Sequence, residues 1–191
     1  MDNRKLIVTI RCLAYNHEPY IRQCLEGFVM QQTNFRFEAI VHDDASTDRT
    51  AEIIKEYADK YPDIIKPIFE TENQYSKHDD SLRRIMNEQT HGKYVASCEG
   101  DDYWIDPLKL QKQVDFLNNH QQYSAVFSNC LILEQRKKDN ITYSSGYNKR
   151  IYNQFDVLCG MMFGLHNICY SKEVLDHLLS LKGINGDMIL Y

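Results

Sequence analysis

The sequence predicts an α/β fold: a Rossmann-like, mostly parallel central sheet flanked by helices. Three observations predict it. Short β-branched apolar runs alternate with amphipathic helical stretches through the first half of the chain, the pattern of βαβ units. The length of 191 residues suits one domain with a sizeable core. The 43% hydrophobic and 26% charged fractions are ordinary for a globular protein, and 12% aromatic content argues against disorder.

The elements follow in order. Leu6 to Leu13 is β-branched and apolar and reads as the first strand, and Ala14 to Pro19 as its exit loop. Tyr20 to Gln31 reads as a helix with Ile21, Cys24, Leu25, Phe28 and Val29 on one face. Phe37 to Val41 is a second strand, ending at His42-Asp43-Asp44. Ser46-Thr47-Asp48 opens a helix through Tyr61, with Ala51, Ile54 and Ala58 inward and Pro62 as its stop. Ile64 to Phe69 is a third strand, Asp79 to Glu88 a helix, and Gly92 a stop or the start of a turn. Lys93 to Cys98 is a fourth strand, running into Glu99-Gly100-Asp101-Asp102, and Pro107 to Asn118 is an amphipathic helix. Ala125 to Leu133 and Asn140 to Tyr143 read as a β pair across a charged turn. A Gly-containing apolar loop, a strand at Asn167 to Tyr170 and a helix at Lys172 to Leu181 complete the chain.

Composition excludes several function classes. A net charge of -5 with one short basic cluster, Arg136 to Lys138, offers no face to a nucleic-acid backbone. The six cysteines form no C-x-x-C pair, which argues against a zinc knuckle. Cys12, Cys98, Cys130 and Cys169 lie in apolar runs and read as core residues of a reducing compartment. The sequence shows neither a signal peptide nor an apolar run long enough for a bilayer. It breaks off at Gly186-Asp187-Met188-Ile189-Leu190-Tyr191 without a polar tail. Further helices or a membrane-associating segment are expected beyond that point.

In parallel sheets ligands bind beyond the carboxyl ends of strands, so acids are judged by whether they follow a strand. Tyr15-Asn16 follows the first strand, Asp43-Asp44 the second, and Glu99, Asp101 and Asp102 the fourth. For Asp43 to Asp48 two readings stand level: a ligand site, or loop and capping chemistry. For Glu99 to Asp102 a plain polar turn is the weaker reading, because three carboxylates in four residues repel unless neutralised. Acids without a His or Cys set suit Mg²⁺ or Mn²⁺, which take one or two carboxylates and complete their shell with phosphate and water. The chain has no G-x-G-x-x-G after the first strand and no P-loop, so a metal rather than a glycine-rich cradle would hold the phosphates.

Three segments carry a resemblance: Ile7 to Asn16, Ala39 to Thr50, and His91 to Trp104 with Glu99-Gly100-Asp101-Asp102 at its heart. In order and spacing they resemble family 2 of the nucleotide-sugar glycosyltransferases, which have the GT-A fold. The resemblance covers nearly the whole chain. It implies a metal-dependent inverting transfer of a sugar, of hexosyl or N-acetylhexosaminyl type, from a nucleotide-diphospho sugar to a hydroxyl. The donor would be UDP-linked, the cofactor Mn²⁺ or Mg²⁺, and the acceptor a saccharide or lipid-linked hydroxyl in cell-surface polysaccharide synthesis. Ala14, Tyr15 and Asn16 would line the nucleotide pocket, and Asp44 would accept a hydrogen bond from the base. Asp101 would bind the metal, Glu99 would contact ribose or metal-bound water, and Asp102 would hold the donor sugar. Glu99 stands where the family more often has Asp, which changes its reach. Asp187 would be the general base, with a helix N-cap as its alternative. His166 occupies a region where some relatives add a metal ligand, although a lone His is more often structural. The implied location is cytoplasmic, at the inner face of the membrane, with peripheral membrane association through segments beyond the chain.

Four other residues stand close to these motifs. His42 reads as packing or pocket lining, Trp104 as an anchor for its loop, Asn73 as near the diphosphate, and Arg84 as a solvated helix face. Two rivals remain at this point. A nucleotidyltransferase would want a glycine- and basic-rich loop after the first strand, which Ala14-Tyr15-Asn16-His17 does not supply. A non-catalytic nucleotide-sugar-binding module would bind donor without transfer.

Overall fold

The computed structural model describes residues 4–128, 130–133, 141–144, 168–173 and 176. Eight strands and four α-helices are built from them. In chain order they are β1 (Leu6–Ala14), α1 (Ile21–Val29), β2 (Arg36–Asp43), α2 (Thr50–Lys60), β3 (Ile65–Phe69), α3 (Ser81–Glu88), β4 (Tyr94–Ser97), α4 (Lys109–Asn119), β5 (Ala125–Phe127), β6 (Cys130–Leu133), β7 (Ile141–Ser144) and β8 (Ile168–Ser171). A 3₁₀ turn spans Tyr75–Lys77.

Six strands form one sheet in the order β3-β2-β1-β4-β8-β5. Strands β3, β2, β1 and β4 are mutually parallel, as the alternating pattern predicts. β8 runs antiparallel to β4 and to β5. The apolar run read as one strand from Ala125 to Leu133 is therefore two. Its first part closes the main sheet, and its second pairs with β7 in a separate two-stranded ribbon. An unbroken apolar run shows extended backbone but not where its pairing partner changes.

β1 is the central strand, with Val8, Ile10 and Cys12 fully buried. Ala39 and Val41 of β2, Ala96 of β4 and Cys169 of β8 extend the core across the sheet. α1 covers it with Ile21, Cys24, Leu25 and Phe28, the face its periodicity marks. α4 adds Leu110, Val114 and Leu117. On α2 the buried stripe is Thr50, Ile53, Ile54 and Tyr57, so of the expected Ala51, Ile54 and Ala58 only Ile54 is on it. Tyr57 takes the inner face because its hydroxyl reaches the Glu26 carboxylate of α1.

Helices start a residue or two after the side chains that open them. Asp48 accepts hydrogen bonds from the Thr50 amide (2.9 Å) and hydroxyl (2.5 Å), so α2 begins at Thr50 rather than at Ser46. Asp79 does the same for the Ser81 amide at 3.0 Å and Asp106 for the Leu108 amide at 2.9 Å. Gly92 is set by close approach: a Cβ there would lie 2.4 Å from the Thr9 amide nitrogen and 2.7 Å from the Val8 carbonyl carbon. Its amide donates to the buried Thr9 hydroxyl at 2.8 Å, locking the entry of β4 against β1.

Cys12, Cys24, Cys98 and Cys169 are buried free thiols, as core residues should be. Among the described residues no helix is long and apolar enough to cross a membrane. His166, Asp187 and the basic cluster Arg136 to Lys138 lie outside the described residues.

Candidate active site

Three loops meet at the carboxyl edge of the parallel strands. β1 lies between β2 and β4, so the loops leaving those neighbours flank its exit. The Asp44 amide donates to the Ala14 carbonyl at 2.9 Å, and the Gly100 amide donates to the Leu13 carbonyl at 2.8 Å. Asp44 and Gly100, from separate sequence motifs, are thus bonded backbone to backbone to the adjacent residues Ala14 and Leu13 at the end of β1. Two strand spacings separate β2 from β4, about 10 Å, so the two acid sets bracket β1 rather than share a point.

The loop after β1 is laced to the loop after β2. The Asn16 amide donates to the Ser46 hydroxyl at 2.9 Å, and Asn16 Oδ1 accepts from the Thr47 amide at 2.8 Å. The His17 amide donates to Thr50 Oγ1 at 2.8 Å, and the Glu18 amide to Asp48 Oδ2 at 3.1 Å. Burial works against the charged form of Asp48, but the bonds from the Thr50 hydroxyl and amide and from the Glu18 amide outweigh it and hold the carboxyl below its ordinary value. Asn16 (φ 56°) and Ala45 (φ 63°) both adopt left-handed backbone here. Asn tolerates that region, whereas Ala has no compensating side chain. Tyr15 stays 46% exposed, its ring available at the rim.

Asp43 and Asp44 are both buried. Asp43 Oδ2 accepts from the Ser46 amide at 3.2 Å, while its Oδ1 has no partner among the described residues. Asp44 Oδ1 accepts from the Gln74 amide at 2.6 Å and Oδ2 from the Tyr75 amide at 3.0 Å. Asn73 Nδ2 donates to the Asp44 carbonyl at 3.2 Å, so the post-β3 segment is strapped to this acid on three atoms. Each carboxylate oxygen of Asp44 keeps a second lone pair for a further donor. His42 is fully buried, its Nε2 3.2 Å from Glu70 Oε1, so it packs inside the sheet rather than lining a pocket.

The loop after β4 is arranged differently. Asp101 is exposed, and Glu99 and Asp102 are half-buried. The Asp102 amide donates to the Glu99 carbonyl at 3.1 Å, closing a tight turn. Gly100 is required by space: a Cβ there would lie 2.7 Å from His17 Nδ1 and 3.1 Å from Ala14 Cβ. Cys24 Sγ donates to the Glu99 carbonyl at 3.4 Å, tying the turn to α1.

Trp104 anchors the far end of this loop, as read from the sequence. It is 5% exposed and packs edge-on to Phe28 with centroids 5.1 Å apart. Gly27 has no room for a Cβ, which would lie 2.9 Å from the Trp104 amide nitrogen. Arg84 is an exposed helix residue, 3.4 Å from the Ser81 hydroxyl.

Among the described residues no three His, Cys, Asp or Glu side chains converge on a point that could hold a metal. The rim therefore provides no complete protein cage. Oxygen donors on one exposed turn do fit a hard divalent cation that takes one or two carboxylates and finds its remaining ligands in phosphate and water.

Sequence reasoning missed the role of Gln74 and Tyr75, because backbone amides leave no trace in residue identity. It also missed Gly100 as a packing requirement, although a glycine between two acids immediately after a strand was an available signal.

The model of Glycosyl transferase family 2 matches residues 10–179. The chain is 31% identical over 117 residues to the UDP-Glc:alpha-D-GlcNAc-diphosphoundecaprenol beta-1,3-glucosyltransferase WfaP of Escherichia coli, covering 61% of this chain and 43% of that one. It superposes on S. aureus TarS in complex with UDP-GlcNAc with a TM-score of 0.70 at 20% identity, covering 96% of this chain and 52% of that one. It superposes on the mannosyltransferase PcManGT from Pyrobaculum calidifontis, in complex with GDP-Man and Mn2+, with a TM-score of 0.63 at 22% identity, covering 90% and 46%. The chain spans about two fifths of the length of the curated relatives it matches (38% and 43%).

Proposed function

The chain belongs to glycosyl transferase family 2 and has the GT-A fold, and from that premise we propose that it transfers a hexosyl or N-acetylhexosaminyl group from a UDP-linked donor to a hydroxyl acceptor with inversion. One observation carries the reading: the exits of β1, β2 and β4 are hydrogen-bonded together at one rim, with Asp44 on one side of Ala14 and Glu99 to Asp102 on the other. A nucleotide-diphospho sugar has a base at one end and a charged diphosphate and sugar at the other, and these loops offer suitable groups for each.

In this reading Ala14, Tyr15 and Asn16 line the nucleotide, with the exposed Tyr15 ring against the base. Asp44, held rigid by the Gln74 and Tyr75 amides, accepts a hydrogen bond from the base through a remaining lone pair. Asp102 orients the sugar. Asp101, assisted by Glu99 through ribose or a bound water, would hold Mn²⁺ or Mg²⁺, with His166 as a further ligand. When bound there, the cation supplies Lewis acidity to the departing diphosphate. Asp187 takes the proton of the acceptor hydroxyl on the face opposite the leaving group. The acceptor would be a saccharide or lipid-linked hydroxyl in cell-surface polysaccharide synthesis, a reading supported by the GlcNAc-diphosphoundecaprenol in WfaP's name. The protein would work in the cytoplasm at the inner membrane face.

The test is a thermal-shift screen of UDP- and GDP-sugars with and without Mn²⁺, followed by transfer assays on the full-length protein. UDP-sugars should raise the melting temperature only with the cation, and an inverted product should form. Asp187→Asn should reduce transfer by about a hundredfold to ten-thousandfold while leaving donor binding intact. Transfer at the wild-type rate would remove Asp187 from its role. Stabilisation by GDP-sugars alone would remove the uridine assignment.

A further inference from the structure

We propose that Lys109 is a positioning residue for the Glu99–Asp102 loop, its ammonium seated over the Trp104 ring and fixing the side chain on which the far end of that loop hangs. The functional weight of this inference rests on the donor-site reading above; the clamp itself rests on packing alone.

Lys109 is 7% exposed, and among the described residues no carboxylate is bound to it, which is unusual for a buried lysine. Its Nζ lies 4.2 Å from the centroid of Trp104 and donates to Gln113 Oε1 at 2.9 Å. Gln113 Nε2 continues to the Ser128 hydroxyl at 3.0 Å, beside β5. The lysine therefore joins the antiparallel side of the sheet to the aromatic anchor of the acidic loop. Phe28 and the Gly27 backbone bound the same tryptophan from α1. A second polar tie secures the segment between them: Gln31 Nε2 donates to the Asp106 carbonyl at 2.9 Å, and Gln31 Oε1 accepts from the Leu110 amide at 3.1 Å.

The two ends of the loop are thus held by different means. Its start is fixed by backbone bonds to β1 and a thiol from α1. Trp104, only two residues after Asp102, anchors the other end. A cation over an indole face is worth most where water is excluded, so this stack constrains the ring more than an exposed one would.

Burying an ammonium favours its loss of a proton, and burial pushes the Lys109 pKa down to about 8. The titratable groups facing it are Cys169 on β8, Cys98 at the exit of β4, and Asp106 ahead of α4, all of which oppose that fall. Because the pKa is lowered, the cation is present below this value and is lost as pH rises through it, well before a free lysine would titrate.

Trp104 is the only tryptophan in the chain, so it reports on its own clamp. The experiment compares the wild-type chain with Lys109→Met, which keeps the stem, and Lys109→Arg, which keeps the charge. Trp104 emission is followed across the pH range around this transition, amide hydrogen exchange is measured at residues 99–104, and UDP-GlcNAc affinity is measured with Mn²⁺. Expected results are an emission transition near pH 8 in the wild type that Lys109→Met abolishes, and about tenfold faster exchange in the loop of Lys109→Met with β1 and β2 unchanged. Donor affinity should fall about tenfold in Lys109→Met and lose its pH dependence, and Lys109→Arg should restore most of it. Equal exchange in wild type and Lys109→Met overturns the clamp. Normal exchange differences with equal donor affinity overturn its role in positioning. A wild-type chain that binds no nucleotide sugar refutes the donor-site reading instead, and the exchange data still decide the clamp.

Discussion

The loops after β2 and β4 are both acidic, both follow a parallel strand and both touch the exit of β1, yet they use their charge in opposite ways. Asp43 and Asp44 are buried and turned to the protein's own amides: Ser46 for the first, Gln74 and Tyr75 for the second. Asp101 is exposed, and Glu99 and Asp102 are half-buried on a turn that backbone bonds already close. One loop spends its acids on rigidity, and the other keeps them near solvent where a ligand can reach them. A cluster of acids after a strand is therefore not evidence that all of them await a cation. Backbone amides can neutralise some of them, and those acids then shape the site more than they ligate within it.

The sharpest test of this contrast is Asp44→Asn. The substitution keeps one acceptor and replaces the other with a donor that faces an amide hydrogen. It should cost about 2–3 kcal/mol, because a charge-assisted bond is lost and a buried amide is left unsatisfied. Urea unfolding with an unchanged slope would measure it. A loss well under 1 kcal/mol would mean that the Asp44 carboxylate is not strapped to the post-β3 segment.

Gly100→Ala should come next. Its Cβ would press on His17 Nδ1 at 2.7 Å and on Ala14 Cβ at 3.1 Å. The histidine ring can yield but the Ala14 side cannot, so a loss of about 1–2 kcal/mol is expected, with weakened donor binding. Thermal unfolding and donor titration of the same variant would show both effects. Unchanged values would mean that the two loops are not in contact.

Ala45→Gly should act in the other direction. A non-glycine residue at φ 63° carries local strain of about 1 kcal/mol or more, part of which is offset by the freedom glycine gains when unfolded. A net stabilisation of about 0.5 kcal/mol is expected in chemical denaturation. Destabilisation would mean that the Ala45 methyl packs productively.

The parallel half of this architecture was legible in the sequence. Apolar runs with strand spacing, helices of one-sided periodicity and acids placed just after strands mark four parallel strands and the edge where their exit loops lie, while the order β3-β2-β1-β4 comes from the structure. Ile21, Cys24, Leu25 and Phe28 could be read directly as a buried face. The antiparallel half could not be read in the same way. Strand pairing between Ala125–Phe127 and Ile168–Ser171 depends on contacts far apart in sequence, and neither segment names its partner. Partners made of backbone, such as the Gln74 and Tyr75 amides, were equally invisible. Lys109 was hidden for a different reason: a lysine in an amphipathic helix reads as surface, and only tertiary packing puts it against Trp104.

The smallest expected change in stability is also the most informative about function. Asp101→Asn removes one charge from an exposed side chain at constant size, so folding stability should move by less than about 0.5 kcal/mol. Asp44→Asn should do the reverse, shifting stability strongly before any ligand is added. If Asp101 holds a cation, its amide variant should fold normally and lose most of the Mn²⁺-dependent part of UDP-sugar binding in calorimetric titration. Such a pair of variants separates an acid that builds the rim from one that works on it. A variant of Asp101 that binds donor and cation as the wild type does would leave the exposed acid without its ligand. The cation would then have to be sought among residues other than Asp101.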